Sequence, residues 1–307
     1  MAMRNNNHRS VSHAYLFPYM EESIQKLVAV GKIRTAETYR TTLLRFKRFR
    51  QDEDIRLASI DDELISGFER SLKESGLCAN TTSFYMRILR AVYNRALREG
   101  LTKNRNPFKY VYTGVDKTRK RAIDIEDVRR LAALNLDNCP AEALARDLFL
   151  FSFYMRGMSF VDMAYLQKRD LHCGVLSYRR RKTGQTLFIR WEKCMQKIID
   201  RYPTRSSPYL LPIITSTEKD ARSQYIYMIH KVNDNLKTLG RRLGFPVPLT
   251  MYVARHTWAS TARRKNIPLA VISEGMGHTS EKTTRIYLDS LDASTIDDAN
   301  LMILEML

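Results

Sequence analysis

Residues 176–191 read LSYRRRKTGQTLFIRW. From Val175 to Arg190 the apolar residues leave helical spacing and form two short runs joined by Lys182-Thr183-Gly184-Gln185. Two such runs around a glycine-containing turn are the signature of a β-hairpin. The segments on either side carry the 3.6-residue period of helices instead. The fold class is therefore mainly α: an N-terminal all-α bundle, then a C-terminal mixed α+β domain with a small antiparallel sheet.

Upstream of the hairpin, the spacing predicts a helix from Ser12 to about Lys32, with Phe17, Met20, Ile24, Leu27 and Val28 on one face. A second is expected from Thr35 to about Gln51, and a third from Asp61 to about Ser75. A fourth runs from Asn80-Thr81 to Arg98, with Phe84, Ile88, Val92 and Ala96 inward. Ser83, Arg87, Arg90, Asn94 and Arg98 form a polar stripe on its other side. Residues 103–121 are basic and interrupted by Pro107 and Gly114, which marks a linker. The expected division is a polar terminus at 1–11, a helical domain at 12–102, the linker, and a second domain at 122–307. That domain opens with helices from Asp124 to Asn135 and from Pro140 to about Met155. Further helices are expected after the hairpin, at about 191–201, 219–243, 252–265, 268–275 and 280–288. The apolar residues from Ile296 to Leu307 suggest one more helix.

Charge points to the partner. The 307 residues hold 51 Lys and Arg against 33 Asp and Glu, a net charge of +18. Both parts share it: residues 1–115 carry 20 basic and 12 acidic residues, the remainder 31 and 21. A polyanion such as nucleic acid is the simplest reason to tolerate that self-repulsion. Arg40, Arg87 and Arg90 are candidate DNA contacts, because Arg on a helix suits phosphates and guanine edges. No apolar run reaches the length of a membrane span, and MAMRNNNHRS lacks the apolar stretch of a secretory signal. A cytoplasmic location is expected. Cys78, Cys139, Cys173 and Cys194 are scattered without metal-ligand spacing, so they are expected to be reduced, mostly structural thiols, with no metal site.

Two segments carry chemistry. TMYVARHTWAS (250–260) sets Arg255 and His256 within an apolar helical pattern. A buried Arg is costly unless it meets an anion. EGMGHTSEKTTRIYLD (274–289) places His278 after a glycine-marked turn, with Tyr287 nine residues later. Arg156 follows the apolar run LFLFSFYM, and Lys182 sits at the hairpin tip. Two Arg, a Lys, a His and a Tyr suit metal-free phosphoryl transfer. The phenol attacks phosphorus, fixed cations neutralise the non-bridging oxygens, and a Lys or His protonates the leaving oxygen.

These segments resemble those of the tyrosine recombinase (phage integrase) family over nearly the whole chain. ARHTWAS is similar to the box around the family's second catalytic arginine, here Arg255. GMGHTSEKTTRIY is similar to the box leading to the nucleophile, giving His278 and Tyr287. RRKTGQ resembles the hairpin presenting a catalytic lysine, Lys182. RGMSFVDMAYL resembles the first arginine box, giving Arg156, with Asp162 as a supporting acid if three residues are inserted. The family usually has His three residues before the second arginine. Here that residue is Tyr252, which can donate a hydrogen bond but is a poor base, with an ordinary pKa of about 10.

The resemblance implies a core-binding domain followed by a catalytic domain, together forming a clamp on double-stranded DNA at specific sites. It implies a tetrameric synapse and a 3′-phosphotyrosine intermediate, without metal or other cofactor. About a dozen polar residues precede the first expected helix, which favours a DNA invertase or a small-element integrase. The apolar C-terminal segment would dock on a neighbouring protomer or on its own domain. The rival readings are a type IB topoisomerase-like nicking-closing enzyme and a catalytically inactive DNA-binding regulator.

Overall fold

The computed structural model describes residues 14–116, 121–204, 207–285, 288 and 304. The chain divides into two compact units, residues 1–118 and 119–307. The first holds helices α1 (Leu16–Ala29), α2 (Ile33–Phe49), α3 (Asp62–Glu74) and α4 (Ala79–Arg98). Its core is aromatic at the centre. Phe46 is fully buried, edge-on to Phe68 at 4.9 Å and to Phe17 at 6.5 Å. Such ring pairs add to the stabilisation that burial alone provides.

α3 starts where its sequence asks it to. The Asp61 carboxylate accepts the Leu64 N–H at 2.9 Å, satisfying one of the open donors of the first turn. Asp61→Ala is expected to cost about 1 kcal/mol in denaturant unfolding of the full chain. An unchanged midpoint would show that the cap contributes nothing.

Three sequence expectations for this unit are corrected. Val28, in the last turn of α1, is exposed, because burial at a helix end depends on what packs beyond it. On α4 the buried residues are Thr82, Ser83, Tyr85, Met86, Leu89, Val92, Tyr93 and Ala96, while Phe84 and Ile88 are only half-buried. The third correction explains the second. Residues 103–116, expected as linker, pack on this unit. Val111 and Phe108 join its core, and the Tyr112 N–H bonds the Glu69 carboxylate at 3.0 Å. This strap covers part of the expected polar stripe. Ser83 Oγ donates to the Gly114 carbonyl at 2.5 Å, and Arg90 donates to Thr113 Oγ1 at 2.7 Å.

The second unit is built around α6 (Pro140–Tyr154), preceded by α5 (Ile125–Ala132). Leu148, Phe149 and Phe151 of α6 are fully buried. Against it pack α8 (Lys193–Arg201), α9 (Ala221–Arg242) and α10 (Met251–Arg264). Asp147 on α6 accepts from Arg146, Arg201 and Tyr202 at 2.8, 2.6 and 2.8 Å, so this buried charge is fully paired.

A short helix α7 (Phe160–Ala164) leads to β1 (Leu171–His172), and β2 (Val175–Arg179) and β3 (Thr186–Arg190) form the expected hairpin. The sheet is antiparallel, in the order β1-β2-β3, with Leu176 opposite Ile189 and Tyr178 opposite Leu187. Those four face the core, and the residues between them face outward, as period-2 alternation requires. Helices α11 (Leu269–Gly275) and α12 (Glu281–Arg285) follow α10. The apolar segment from Ile296 to Leu307 lies outside the described residues, apart from Leu304.

All four cysteines are free and exposed, so none fills a core as expected of a structural thiol. Among the described residues no helix is long and apolar enough to cross a membrane.

Candidate active site

Arg156 is placed by the way α6 ends. Arg156 and Gly157 both take left-handed backbone, φ +58° and +71°. The Gly157 N–H returns to the Ser152 carbonyl at 2.8 Å. The turn directs the half-buried Arg156 toward Gly275, whose position for a Cβ lies 3.7 Å from Arg156 Cδ. A left-handed non-glycine costs roughly 1–2 kcal/mol and persists only where its surroundings hold it.

Arg255, on α10, is buried. Its Nη1 donates to the Gly157 carbonyl at 2.6 Å and its Nη2 to the Met276 carbonyl at 2.8 Å. The same Nη2 lies 2.8 Å from His278 Nε2. A guanidinium only donates, so Nε2 accepts and the ring proton sits on Nδ1. Nδ1 then donates to Thr284 Oγ1 of α12 at 2.8 Å. One arginine thus joins the end of α6 to the histidine turn.

Lys182 is exposed at the hairpin turn, held from two sides. Buried Asp162 of α7 accepts the Arg181 N–H at 2.9 Å and the Ser159 hydroxyl at 2.6 Å. On the other side, Arg180 donates to the Gly277 carbonyl, and Thr183 Oγ1 donates to the same oxygen at 3.4 Å. Arg156, Lys182, Arg255 and His278 therefore gather from well-separated stretches of chain. The three cations among them, beside an uncharged His278, make a patch that suits phosphate.

Two family profiles match. Residues 15–114 match the phage integrase SAM-like domain, and residues 186–294 match the phage integrase family. The tyrosine recombinase XerA of Pyrococcus furiosus is 25% identical over 226 residues, covering 72% of this chain and 73% of that protein. The chain belongs to the tyrosine recombinase (phage integrase) family. It is a tyrosine-type site-specific recombinase. Solved structures share the fold. The Tn1549 transposon integrase in complex with a circular intermediate DNA superposes with TM-score 0.68 at 14% identity, covering 94% of this chain and 99% of that one. A lambda integrase tetramer bound to a Holliday junction gives 0.66 at 15% identity, covering 88% and 76%.

Tyr252 is half-exposed on α10, edge-on to His256 at 4.7 Å. Arg40, exposed, and Arg87 and Arg90, half-buried, belong to the first unit. Tyr287 lies outside the described residues.

Sequence reasoning missed Arg180 and Thr284. Arg180 sits in a run of three arginines whose members look equivalent, yet it is 5% exposed while Arg179 and Arg181 are open to solvent. Strand alternation was the available signal, since Leu176, Tyr178 and Arg180 share a parity.

Burial, with the positive charges of Arg255, Arg180 and Lys182, pushes the His278 pKa from 6.5 down to about 3. The folded recombinase therefore refuses a proton that its unfolded chain accepts. The stability this confers is complete above about pH 6.5 and declines as the pH falls toward 3. Unfolding measured across that window is expected to show a shallower acid slope in His278→Asn. Equal slopes in the two proteins would contradict the assignment.

Proposed function

We propose that this recombinase cuts and rejoins double-stranded DNA at specific sites through a 3′-phosphotyrosine bond at Tyr287. It acts as a DNA invertase or as the integrase of a small element. The Tyr287 oxygen bonds to phosphorus as the bond from phosphorus to the 5′ oxygen breaks. Arg156 and Arg255 grip the non-bridging oxygens, where charge accumulates. Lys182 gives its proton to the departing 5′ oxygen. As Arg255 Nη2 turns from His278 Nε2 to the phosphate, the freed Nε2 lone pair takes the phenol proton. Burial is the larger cause of the His278 depression, but a phosphodiester among these cations offsets the part due to their repulsion, and so raises its proton affinity. Tyr252 adds a hydrogen bond to the phosphate. Religation is the reverse reaction with a new 5′ hydroxyl, so the bond energy is conserved.

The observation that carries this reading is the 2.8 Å contact between Arg255 and His278, anchored on the turn after Arg156. The net charge of +18 supports a DNA partner. The likeness to a lambda integrase tetramer on a Holliday junction supports assembly of four protomers around two sites. The protein would act in the cytoplasm, where the DNA is.

The test uses a library of randomised duplexes, each nicked near its centre. A cut beside the nick releases a short 5′-hydroxyl fragment and traps the protein on DNA. SDS-resistant adducts that enrich one sequence motif are expected, formed less readily as salt rises, because phosphate contacts release counterions. A library that yields no adduct, in a protein that binds duplex, would sink the proposal in favour of an inactive regulator. Adducts without sequence enrichment would favour a nicking-closing enzyme.

A further inference from the structure

Arg180 has no place in the chemistry above, yet the structure uses it more than either neighbouring arginine. It lies between the end of β2 and the turn that carries Lys182. Its N–H donates to the Gln185 carbonyl and its own carbonyl accepts the Gly184 N–H, both at 2.8 Å. It thus closes the base of the turn. Its guanidinium is buried and donates to the carbonyl of Gly277, the residue before His278.

Gly277 is fitted to this contact. Its φ is +65°, and a Cβ there would sit 2.8 Å from Leu187 Cδ1 on β3 and 3.1 Å from Arg180 Cδ. β3 and the residue just past β2 therefore leave no room for a side chain at the glycine, and Thr183 beside Lys182 reaches the same carbonyl. Lys182 itself is exposed, with a long flexible stem. Asp162 fixes the turn from the side of α7 through the Arg181 N–H. Arg180 fixes it from the side of the histidine turn.

We propose that Arg180 is a positioning residue that fastens the lysine hairpin to the histidine turn and so sets Lys182 at proton-transfer distance from the leaving 5′ oxygen. The inference rests on the reading of Lys182 as general acid given above. A loosely held acid is expensive, since a displacement of about 1 Å can cost on the order of 100-fold in rate.

The experiment compares full-length wild type, Arg180→Met, Arg180→Lys and Lys182→Met. Each acts on the duplex enriched by trapping, and on the same duplex with sulfur replacing the bridging 5′ oxygen at the cut. A thiolate leaves without being protonated, because a thiol pKa is about 8.5, far below that of an alcohol. On the oxygen substrate, Arg180→Met is expected to form adduct about 10- to 100-fold more slowly, and Arg180→Lys, which keeps a donor, to recover most of the rate. On the sulfur substrate both Arg180→Met and Lys182→Met should come within about threefold of wild type, the general acid being dispensable there.

A deficit in Arg180→Met that persists on sulfur, while Lys182→Met is rescued, would overturn the proposal. Wild-type rates in Arg180→Met on oxygen would do so too. A Lys182→Met deficit that sulfur fails to relieve would instead remove Lys182 from the acid role. Should Arg180→Met not fold, the oxygen-to-sulfur rate ratio of Arg180→Lys and Arg180→Gln decides, a ratio equal to that of wild type in both counting against positioning.

Discussion

Tyr287→Phe is expected to abolish the covalent adduct while leaving duplex affinity within about threefold of wild type. Phenylalanine keeps the ring and removes the attacking oxygen. Of the other groups in the proposed chemistry, Arg156, Arg255 and Lys182 are cations, His278 serves as the base, and Tyr252 gives its hydrogen bond to the phosphate. Loss of a covalent nucleophile costs at least about four orders of magnitude in rate. Affinity is expected to rest elsewhere, on the excess of Lys and Arg that both units carry, which suits phosphates. Adduct formation and gel-shift titration on one trapped duplex separate the two effects. Adduct that persists in the mutant would mean that the nucleophile is a different residue.

The second large effect concerns a residue with no chemistry of its own. Gly157→Ala is expected to destabilise the second unit by about 2–5 kcal/mol. At φ +71° an alanine pays roughly 1–2 kcal/mol for left-handed backbone. Its methyl would also stand 2.8 Å from Arg255 Cα, which is backbone of α10 and cannot turn aside. Overpacking of that kind costs typically 1–3 kcal/mol. Any retreat of α10 also stretches the bond from Arg255 Nη1 to the Gly157 carbonyl. The mutant should therefore unfold at lower denaturant and also form adduct at least about tenfold more slowly under conditions where it is folded. An alanine protein as stable as wild type would show that the close approach of the two segments is not needed.

How far the sequence reaches can be judged residue by residue. Local chemistry was legible. Asp61 caps its helix, Pro140 opens α6, and glycine punctuates the hairpin, each through interactions within a few residues. The site segments were legible because Arg255 and His278 belong to motifs whose order is distinctive. What lay hidden depends on contacts distant in sequence. The basic stretch after residue 102 has the composition of a linker, yet Val111 and Phe108 find a core and Ser83 receives a partner 31 positions away. Ser83 thus lies buried within a stripe that helical spacing assigns to solvent. Arg180 is distinguished from its neighbours by Gly277, which is 97 positions away. The left-handed backbone of Arg156 has no residue-type signature, because arginine does not favour it.

In the proposed chemistry the cations gathered around Arg255 and His278 serve a phosphate attacked by one particular phenol. Mass spectrometry of the protease-digested adduct, formed by wild-type protein on the trapped duplex, tests it most directly. A nucleotide remnant is expected on the peptide containing Tyr287, joined to its phenol oxygen through a 3′ phosphate. A remnant on Tyr252 or any other side chain, or a linkage through a 5′ phosphate, would contradict it.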